Sequence, residues 1–265
     1  MRCVSRTAGD TSAAPAPPTA GRNDGPGVPW WGVVAALAAP LLLAAGSTIS
    51  AALQPRPVNA VASTVSDLSG LGATDRWVMT LAFAAAGACE VVTALALRPA
   101  AAAGRLILMA AGVGGLLVAA NPEHAGGSLA HAYSAGINFT ALVAWPVGAR
   151  RRSQSVPWGL RPTVAAAAVG IMTFLFACFL TEEVTRGGQI GLAERVMGIV
   201  QVGWPFAVVL SCRLYLSAGQ TVPAADAEHA ARAPAHAWHL RVGRGRPAGP
   251  PDPGRSDPIE RDQAA

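Results

Sequence analysis

The chain has 265 residues, of which 52% are apolar and only 13% are charged. Soluble domains carry about 25% charged residues, so this composition excludes a soluble enzyme, a disordered chain and a disulfide-stapled secreted domain. The net charge of +5 comes from 20 basic residues, all of them Arg, and many of these lie in short segments beside apolar stretches. Such residues orient a membrane protein, so we expect membrane lipids and no nucleic acid as partners.

The two ends of the chain differ from its middle. Residues 1–29 and 218–265 are rich in Pro and Gly and lack a sustained hydrophobic period, although about 223–240 has some helical tendency. Such a composition cannot bury a core, so both segments are predicted to be disordered tails. Residues 30–217 between them are predicted to form one membrane domain.

Apolar stretches in this middle segment are long enough to cross a bilayer at about 1.5 Å per residue. They predict an all-α bundle of six transmembrane helices at about 30–52, 77–97, 101–120, 129–149, 163–180 and 195–216. The third helix is the weakest of these, because Arg105 near its start has to reach the headgroups. On the same helix Ala111, Gly115 and Ala119 form a stripe of small residues, which allows a neighbouring helix to approach closely.

The longest connection, 53–76, follows the first helix. Its apolar residues recur at steps of three and four, Pro57 suits a first helical position and Gly70 suits a helix end. The spacing predicts a short amphipathic helix that lies on the outer face or caps the bundle. Such a helix either covers helix ends or forms a lid over a pocket. The apolar positions are Val58, Val61, Val65, Leu68 and Leu71.

The distribution of Arg predicts the orientation. If the N-terminus is cytoplasmic, the inner connections carry Arg and no acidic residue, whereas the outer connections carry both Arg and acidic residues. Because positive charge is retained on the cytoplasmic side, we predict a multi-pass protein of the cell membrane with both termini in the cytoplasm. The inner Arg residues are Arg98, Arg105, Arg150, Arg151, Arg152 and Arg161.

Polar residues interrupt the second and fourth predicted helices. Glu90 lies about 13 residues from the outer end of its helix, where a carboxyl group has to be protonated or paired. His131, Ser134 and Asn138 share one face of the fourth helix, and Asn138 is expected close to the depth of Glu90. This face either makes hydrogen bonds between helices or lines a hydrated cleft, and both interpretations stay open.

A second polar group belongs to the outer side of the membrane. Its members are Ser66, Asp67, His131, Glu194 and Arg195. If they form a site, Arg195 neutralises one carboxylate and another carboxylate holds His131 in one tautomer. We predict that His131 lies within hydrogen-bond or one-water distance of Asp67 or Glu194. Alternatively the charges cap helix ends, as a Glu does near a helix N-terminus.

Familiar metal and cofactor motifs are missing from the sequence. It contains no zinc-protease, nucleotide-loop, serine-hydrolase or dinucleotide motif, and its four Cys lack metal-type spacing. We therefore expect neither a cofactor nor a bound metal.

The order of these features resembles the domain of unknown function 998 family of six-helix prokaryotic membrane proteins. The resemblance covers about residues 30–216 and is carried by four short motifs. They are Ser66-Asp67-Leu68, Arg76-Trp77-Val78-Met79, His131 and Glu194-Arg195. It implies a multi-pass membrane protein whose polar positions gather on one side, and it implies no established reaction.

Three functional hypotheses follow. The leading one is a membrane protein of unknown biochemical activity that binds a small or lipidic ligand in an outer-side cleft. One alternative is a membrane hydrolase with His131 as general base, oriented by Asp67 or Glu194. The other is a proton-coupled transporter of small solutes in which Glu90 titrates. The sequence leaves the oligomeric state open.

Overall fold

The fold is all-α over residues 27–124, 127–153 and 156–232, which are the residues that the computed structural model of the chain describes. Short 3-10 turns lie at Ser66–Ser69 and Trp158–Leu160. The α-helices are α1 (Trp30–Ala52), α2 (Trp77–Ala96), α3 (Ala102–Ala120), α4 (Leu129–Ala149), α5 (Pro162–Thr185) and α6 (Ile190–Arg232).

The predicted bounds are close for α1 to α4 and too short for α5 and α6. The last turn of α5 includes Glu183, and the helix ends where Arg186 adopts a φ of 53°. A left-handed residue at that position terminates a helix, whereas a charged residue alone does not. In the same way α6 begins at Ile190, so that Glu194 lies in its second turn rather than at its start.

The C-terminal segment also departs from the prediction. Its composition predicts disorder from residue 218, but the helix continues to Arg232. This stretch is rich in Ala, the strongest helix former. Residues 221–232, all helical, are the described part of a second unit of the chain. Of the predicted tails 1–29 and 218–265, residues 1–26 and 233–265 lie outside the described residues.

Five helical segments are long and apolar enough to cross a membrane, namely α1, α2, α3, α5 and residues 190–217 of α6. They make the chain a membrane protein in a lipid environment. The fourth helix, α4, has 21 residues but is not among these five. Its polar residues His131, Ser134 and Asn138 lower its mean hydropathy.

Glycines bring neighbouring helices into close contact. A Cβ atom on Gly112 of α3 would lie 2.5 Å from the carbonyl oxygen of Gly87 in α2. One on Gly115, from the predicted small-residue stripe, would lie 3.2 Å from the Cα atom of Gly87. On the other side of α3, a Cβ on Gly104 would collide with the backbone of Ala149 in α4. The helices α2, α3 and α4 therefore pack as close antiparallel neighbours.

The connections lie at two ends of this bundle. The long-loop end carries 53–76, 121–124, 127–128 and 186–189, and the short-loop end carries 97–101, 150–153 and 156–161. At the short-loop end, Arg105 Nε donates to the carbonyl oxygen of Ala94 at 2.9 Å, and Arg151 Nε donates to that of Pro99 at 3.1 Å. Arg105 thus satisfies a carbonyl group in the last turn of α2, which is a favourable position for a cation, and Arg151 bonds to the connection that follows this helix.

The long connection is mostly irregular and not the predicted amphipathic helix. Of residues 53–76, all of which are described, only Ser66–Ser69 is helical, as a 3-10 turn. Thr64 and Asp67 exchange side-chain-to-backbone hydrogen bonds of 2.8 and 3.0 Å. Such local bonds compete with an α-helix. The connection still covers the bundle, because Leu68 is buried against Met79 and Ala82 of α2.

Candidate functional site

Ser66 joins two helices at the long-loop end. Its hydroxyl donates to Glu194 Oε1 of α6 at 3.2 Å and lies 3.2 Å from His131 Nε2 of α4. The backbone N–H of Val65 donates to the other oxygen, Glu194 Oε2, at 2.5 Å. His131 and Glu194 are both buried. The predicted approach of His131 to an acidic residue thus takes the form of a bridge, with the Ser66 hydroxyl between the two side chains.

The second nitrogen of His131 contacts the connection between α3 and α4. Nδ1 lies 2.8 Å from the carbonyl oxygen of Asn121, which can only accept a hydrogen bond, so Nδ1 carries a proton. Ser134 is buried one turn away, and its hydroxyl donates to the carbonyl oxygen of Ala130 at 2.7 Å. The Ser134 hydroxyl therefore bonds to a carbonyl group of its own helix, whereas His131 is held in a fixed orientation toward Ser66.

These contacts allow two arrangements of the same number of protons. In one, His131 is a cation that donates to Ser66, and Ser66 donates to a Glu194 carboxylate. In the other, Ser66 donates to a neutral His131, and a protonated Glu194 donates to the Ser66 oxygen. Each arrangement satisfies every group by the donor and acceptor capacities of these side chains. The Ser66 hydroxyl can therefore donate to one of these two side chains and accept from the other.

Asp67 and Arg195 hold the loop in place. The exposed carboxylate of Asp67 accepts a hydrogen bond from the backbone of Thr64. Arg195 Nη1 donates to the carbonyl oxygens of Ala60 and Ser63, both at 2.7 Å, and of Gly191 at 2.9 Å. The structure thus places this guanidinium nitrogen on main-chain oxygens, and the positive charge of Arg195 also interacts with the Glu194 carboxyl group. Arg195 ties the long connection to α6.

The second predicted polar group lies deeper in the bundle. Glu90 of α2 is 3% exposed, and its Oε2 lies 3.5 Å from Nδ2 of Asn138 in α4. The same nitrogen donates to the carbonyl oxygen of Ala111 in α3 at 2.8 Å. Asn138 therefore connects three helices, and its shorter hydrogen bond is to the backbone.

A cavity of about 270 Å³ joins the two polar groups, and we call it the central cavity. Its wall includes the polar residues Ser66, Glu90, Asn138 and Glu194. Most of the remaining surface is apolar, with side chains from α1, α2, α3, α4 and α6. The volume is close to the lower limit of about 300 Å³ for small-molecule pockets, and a mainly apolar wall with few polar groups is typical of such sites. The apolar wall includes Leu43, Phe83, Val118, Phe139, Ile199 and Val202.

The contribution of α1 is the part of the site that sequence reasoning missed. Pro40, Leu43 and Ser47 of this helix line the central cavity. α1 contains no titratable side chain, so its sequence does not suggest a functional site. The internal proline was the available signal, since a proline in a helix marks a local irregularity.

Glu123 adds a titratable group beside the cluster. Its backbone carbonyl accepts a hydrogen bond from Leu71 at 2.8 Å, which joins the two long-loop connections. Partial burial raises the pKa of its carboxyl group above the usual value, and the nearby His131 acts in the opposite direction. Negative charge on Asp67 adds to the increase. The electrostatics of His131 and Glu123 are therefore linked.

Within the residues that the structure describes, no group of three or more His, Cys, Asp or Glu side chains could hold a metal ion. At the long-loop end, the structure places a hydroxyl, an imidazole and a buried carboxyl group close together.

Comparison with known proteins identifies one family. Residues 36–211 match the family described as Protein of unknown function (DUF998). No curated protein and no solved structure matches the chain. The matched range includes Ser66 and the two side chains that its hydroxyl connects, His131 and Glu194. It also includes Glu90, the other carboxyl group of the central cavity.

Proposed function

The chain belongs to the DUF998 family, and from its central cavity we propose that it is a cell-membrane protein that binds a small or lipidic ligand. In this proposal all six helices span the membrane, both termini are cytoplasmic and the long-loop end faces outward. The exposed side of α4 supports its inclusion as a span. There Leu129, Tyr133 and Ile137 are 78%, 73% and 49% exposed, whereas the polar His131 and Ser134 are buried. An apolar outer side suits contact with lipid.

The central cavity is the observation that carries the ligand-binding proposal. Its apolar wall favours a hydrocarbon body, and its polar groups lie at defined places, with Ser66 and Glu194 at the long-loop end and Glu90 and Asn138 further in. A ligand with an apolar body and a polar head fits this distribution. In this proposal the Ser66 and Glu194 end of the cavity faces the outer side of the membrane.

A steric block tests this proposal. Ala135 lines the central cavity, whereas Ala132, one turn away on the same helix, is exposed. We expect Ala135→Phe to lose a saturable, one-to-one adduct of 1-octanol in native mass spectrometry of the full chain. Ala132→Phe is the matched control and should bind 1-octanol as the wild type does. Equal occupancy in both variants would contradict a ligand site in the central cavity.

The geometry of Ser66 favours hydrolysis as a second candidate function. A hydroxyl 3.2 Å from an imidazole whose other nitrogen is fixed by a third group is the usual arrangement of a nucleophile, its base and an orienting group. Here Asn121 supplies the orienting carbonyl, in place of the predicted Asp67 or Glu194. Ser66 Oγ would attack a carbonyl carbon while His131 Nε2 accepts the hydroxyl proton.

A fluorophosphonate probe tests the second candidate. Attack of Ser66 Oγ on phosphorus would release fluoride and leave a covalent adduct that peptide mass spectrometry can map. We expect labelling of Ser66 in the wild type, a large loss in His131→Ala and no change in Ser47→Ala, which alters another hydroxyl of the central cavity. An unlabelled Ser66 in the folded wild-type protein would exclude it as an activated nucleophile.

A further inference from the structure

Glu90 lacks a strong hydrogen-bond partner among the residues that the structure describes. Its recorded contact is Asn138 Nδ2 at 3.5 Å, which is the outer limit of a hydrogen bond, and that nitrogen makes a shorter bond of 2.8 Å to Ala111. Glu90 is 3% exposed, and it lies on the wall of the central cavity. A carboxyl group in an apolar interior is costly unless it is paired. Because Glu90 lies on the cavity wall, a donor in the cavity can pair this carboxyl group.

The other carboxyl group of the central cavity is already satisfied. Glu194 accepts hydrogen bonds on both oxygens, from Val65 N–H and from the Ser66 hydroxyl. Arg195 is the cationic residue of the described wall, and its Nη1 bonds to three carbonyl oxygens at the long-loop end. Of the two carboxyl groups in the cavity wall, Glu90 is thus the one that can accept a further hydrogen bond from a ligand.

The chemistry of this donor follows from the surrounding wall. Phe83 and Phe139 line the same cavity as Glu90, and aromatic faces attract cations. An ammonium group offers up to three N–H donors and a positive charge, whereas a hydroxyl offers one donor and no charge. An apolar body attached to the ammonium group matches the remaining wall of aliphatic side chains.

We propose that the ligand of the central cavity is a cationic amphiphile, an alkyl amine in its simplest form, whose ammonium group binds the Glu90 carboxylate. This inference rests on the proposed ligand-binding function. The ammonium group lies at Glu90, and the hydrocarbon chain extends along the apolar wall that includes Phe83 and Phe139. Asn138 keeps the carboxylate oriented through its contact with Oε2.

A matched pair of probes tests the amine. Octylamine and 1-octanol share the same hydrocarbon chain and differ in the head group. We expect the full-length wild type to bind octylamine at least about tenfold more tightly than 1-octanol in native mass spectrometry, since hydrogen bonds to charged groups are the strong ones. Glu90→Gln should lower octylamine binding to the level of 1-octanol and leave 1-octanol binding unchanged. Retained 1-octanol binding also shows that this variant is folded.

Two controls separate the outcomes. Glu183→Gln removes an exposed carboxylate and should keep the preference for octylamine. Equal binding of both probes to the wild type, or a preference that survives Glu90→Gln, would overturn the cationic ligand and leave the cavity site intact. Absence of binding by both probes, or binding of both to Ala135→Phe, would overturn the proposed function as well.

Discussion

At the residue scale, Ser66 connects its own loop to α4 and to α6. Its hydroxyl is the shared partner of two buried side chains, Glu194 and His131, that belong to different helices. Removal of this hydroxyl leaves a carboxyl oxygen and an imidazole nitrogen without that partner. A buried polar group left unsatisfied costs about 1–3 kcal/mol.

Ser66→Ala is therefore expected to lower the free energy of unfolding by about 1–3 kcal/mol. Denaturant titration of the detergent-solubilised protein, followed by circular dichroism, measures this change. Ser47→Ala is the matched control, because the Ser47 hydroxyl donates to Ala44 within its own helix. Equal stability of the two variants would show that the Ser66 bridge contributes nothing to folding.

Glu123 gives the molecule a pH dependence of known sign. Burial raises the pKa of this carboxyl group above 4.5, so folding favours its protonated form. Its contribution to stability is present below about 4.5 and is lost as the pH rises through the higher pKa of the folded state. His131 and His124 oppose the shift, and the negative charges of Asp67 and Glu183 reinforce it.

We therefore expect Glu123→Gln to be more stable than the wild type at pH 7, and this advantage should shrink as the pH falls toward 4. Thermal unfolding of both proteins at several pH values measures the difference, and subtraction removes titrations that they share. The backbone bond from Leu71 to residue 123 is kept in this variant. An advantage that grows on acidification would have the wrong sign and would refute the raised pKa.

At the element scale, the helices of the bundle depend on backbone-to-backbone contact. Gly112 of α3 faces Gly87 of α2 with no room for a Cβ atom, whereas nothing lies within 4 Å of a Cβ on Gly136 of α4. Gly112→Ala should therefore destabilise the fold by about 1–3 kcal/mol through overpacking. Gly136→Ala should be neutral or stabilising by up to about 1 kcal/mol, because Ala favours a helix. Thermal unfolding of the two variants distinguishes them, and equal melting temperatures would contradict close packing of α2 on α3.

The helices show what the sequence predicts well and what it does not. Long apolar stretches predict α1 to α4 closely, because burial in lipid demands helices of about that length. The predicted ranges 163–180 and 195–216 are too short, because the charged residues Glu182 and Glu194 just outside them also belong to helices. The long connection was predicted as a helix from its apolar spacing alone. Side-chain bonds between Thr64 and Asp67, which that spacing does not reveal, produce a turn instead.

At the scale of the whole molecule, the sequence predicts an outer-side cleft but not which helices form the wall of the central cavity. The similar depth of Glu90 and Asn138 follows from helix periodicity, and the outer group follows from the order of the connections. The space between them depends on how α1 and α6 approach α2 and α4, and helix packing of this kind leaves no pattern in a single helix. Pro40 and Gly198 line the cavity but have no side chain that suggests a binding site.

The membrane topology of the whole chain follows from where its Arg residues lie. All six Arg of the inner connections lie at or near the short-loop end, where 97–105 and 150–161 contain no acidic residue. This asymmetry predicts a cytoplasmic short-loop end. Gly72 and Arg152 are exposed at opposite ends, so each can be changed to Cys in a variant whose native Cys residues are replaced by Ala.

A membrane-impermeant maleimide should label Gly72→Cys in intact cells, and Arg152→Cys only after permeabilisation. The comparison also tests whether α4 crosses the membrane. If α4 does not cross, residues 121–161 lie on one side, and Arg152→Cys reacts in intact cells together with Gly72→Cys. Labelling of Arg152→Cys alone would mean that the orientation is inverted. On α4, His131 contacts Ser66 at the long-loop end and Asn138 contacts Glu90 deeper in the bundle. The central cavity therefore lies within the membrane only if α4 spans it.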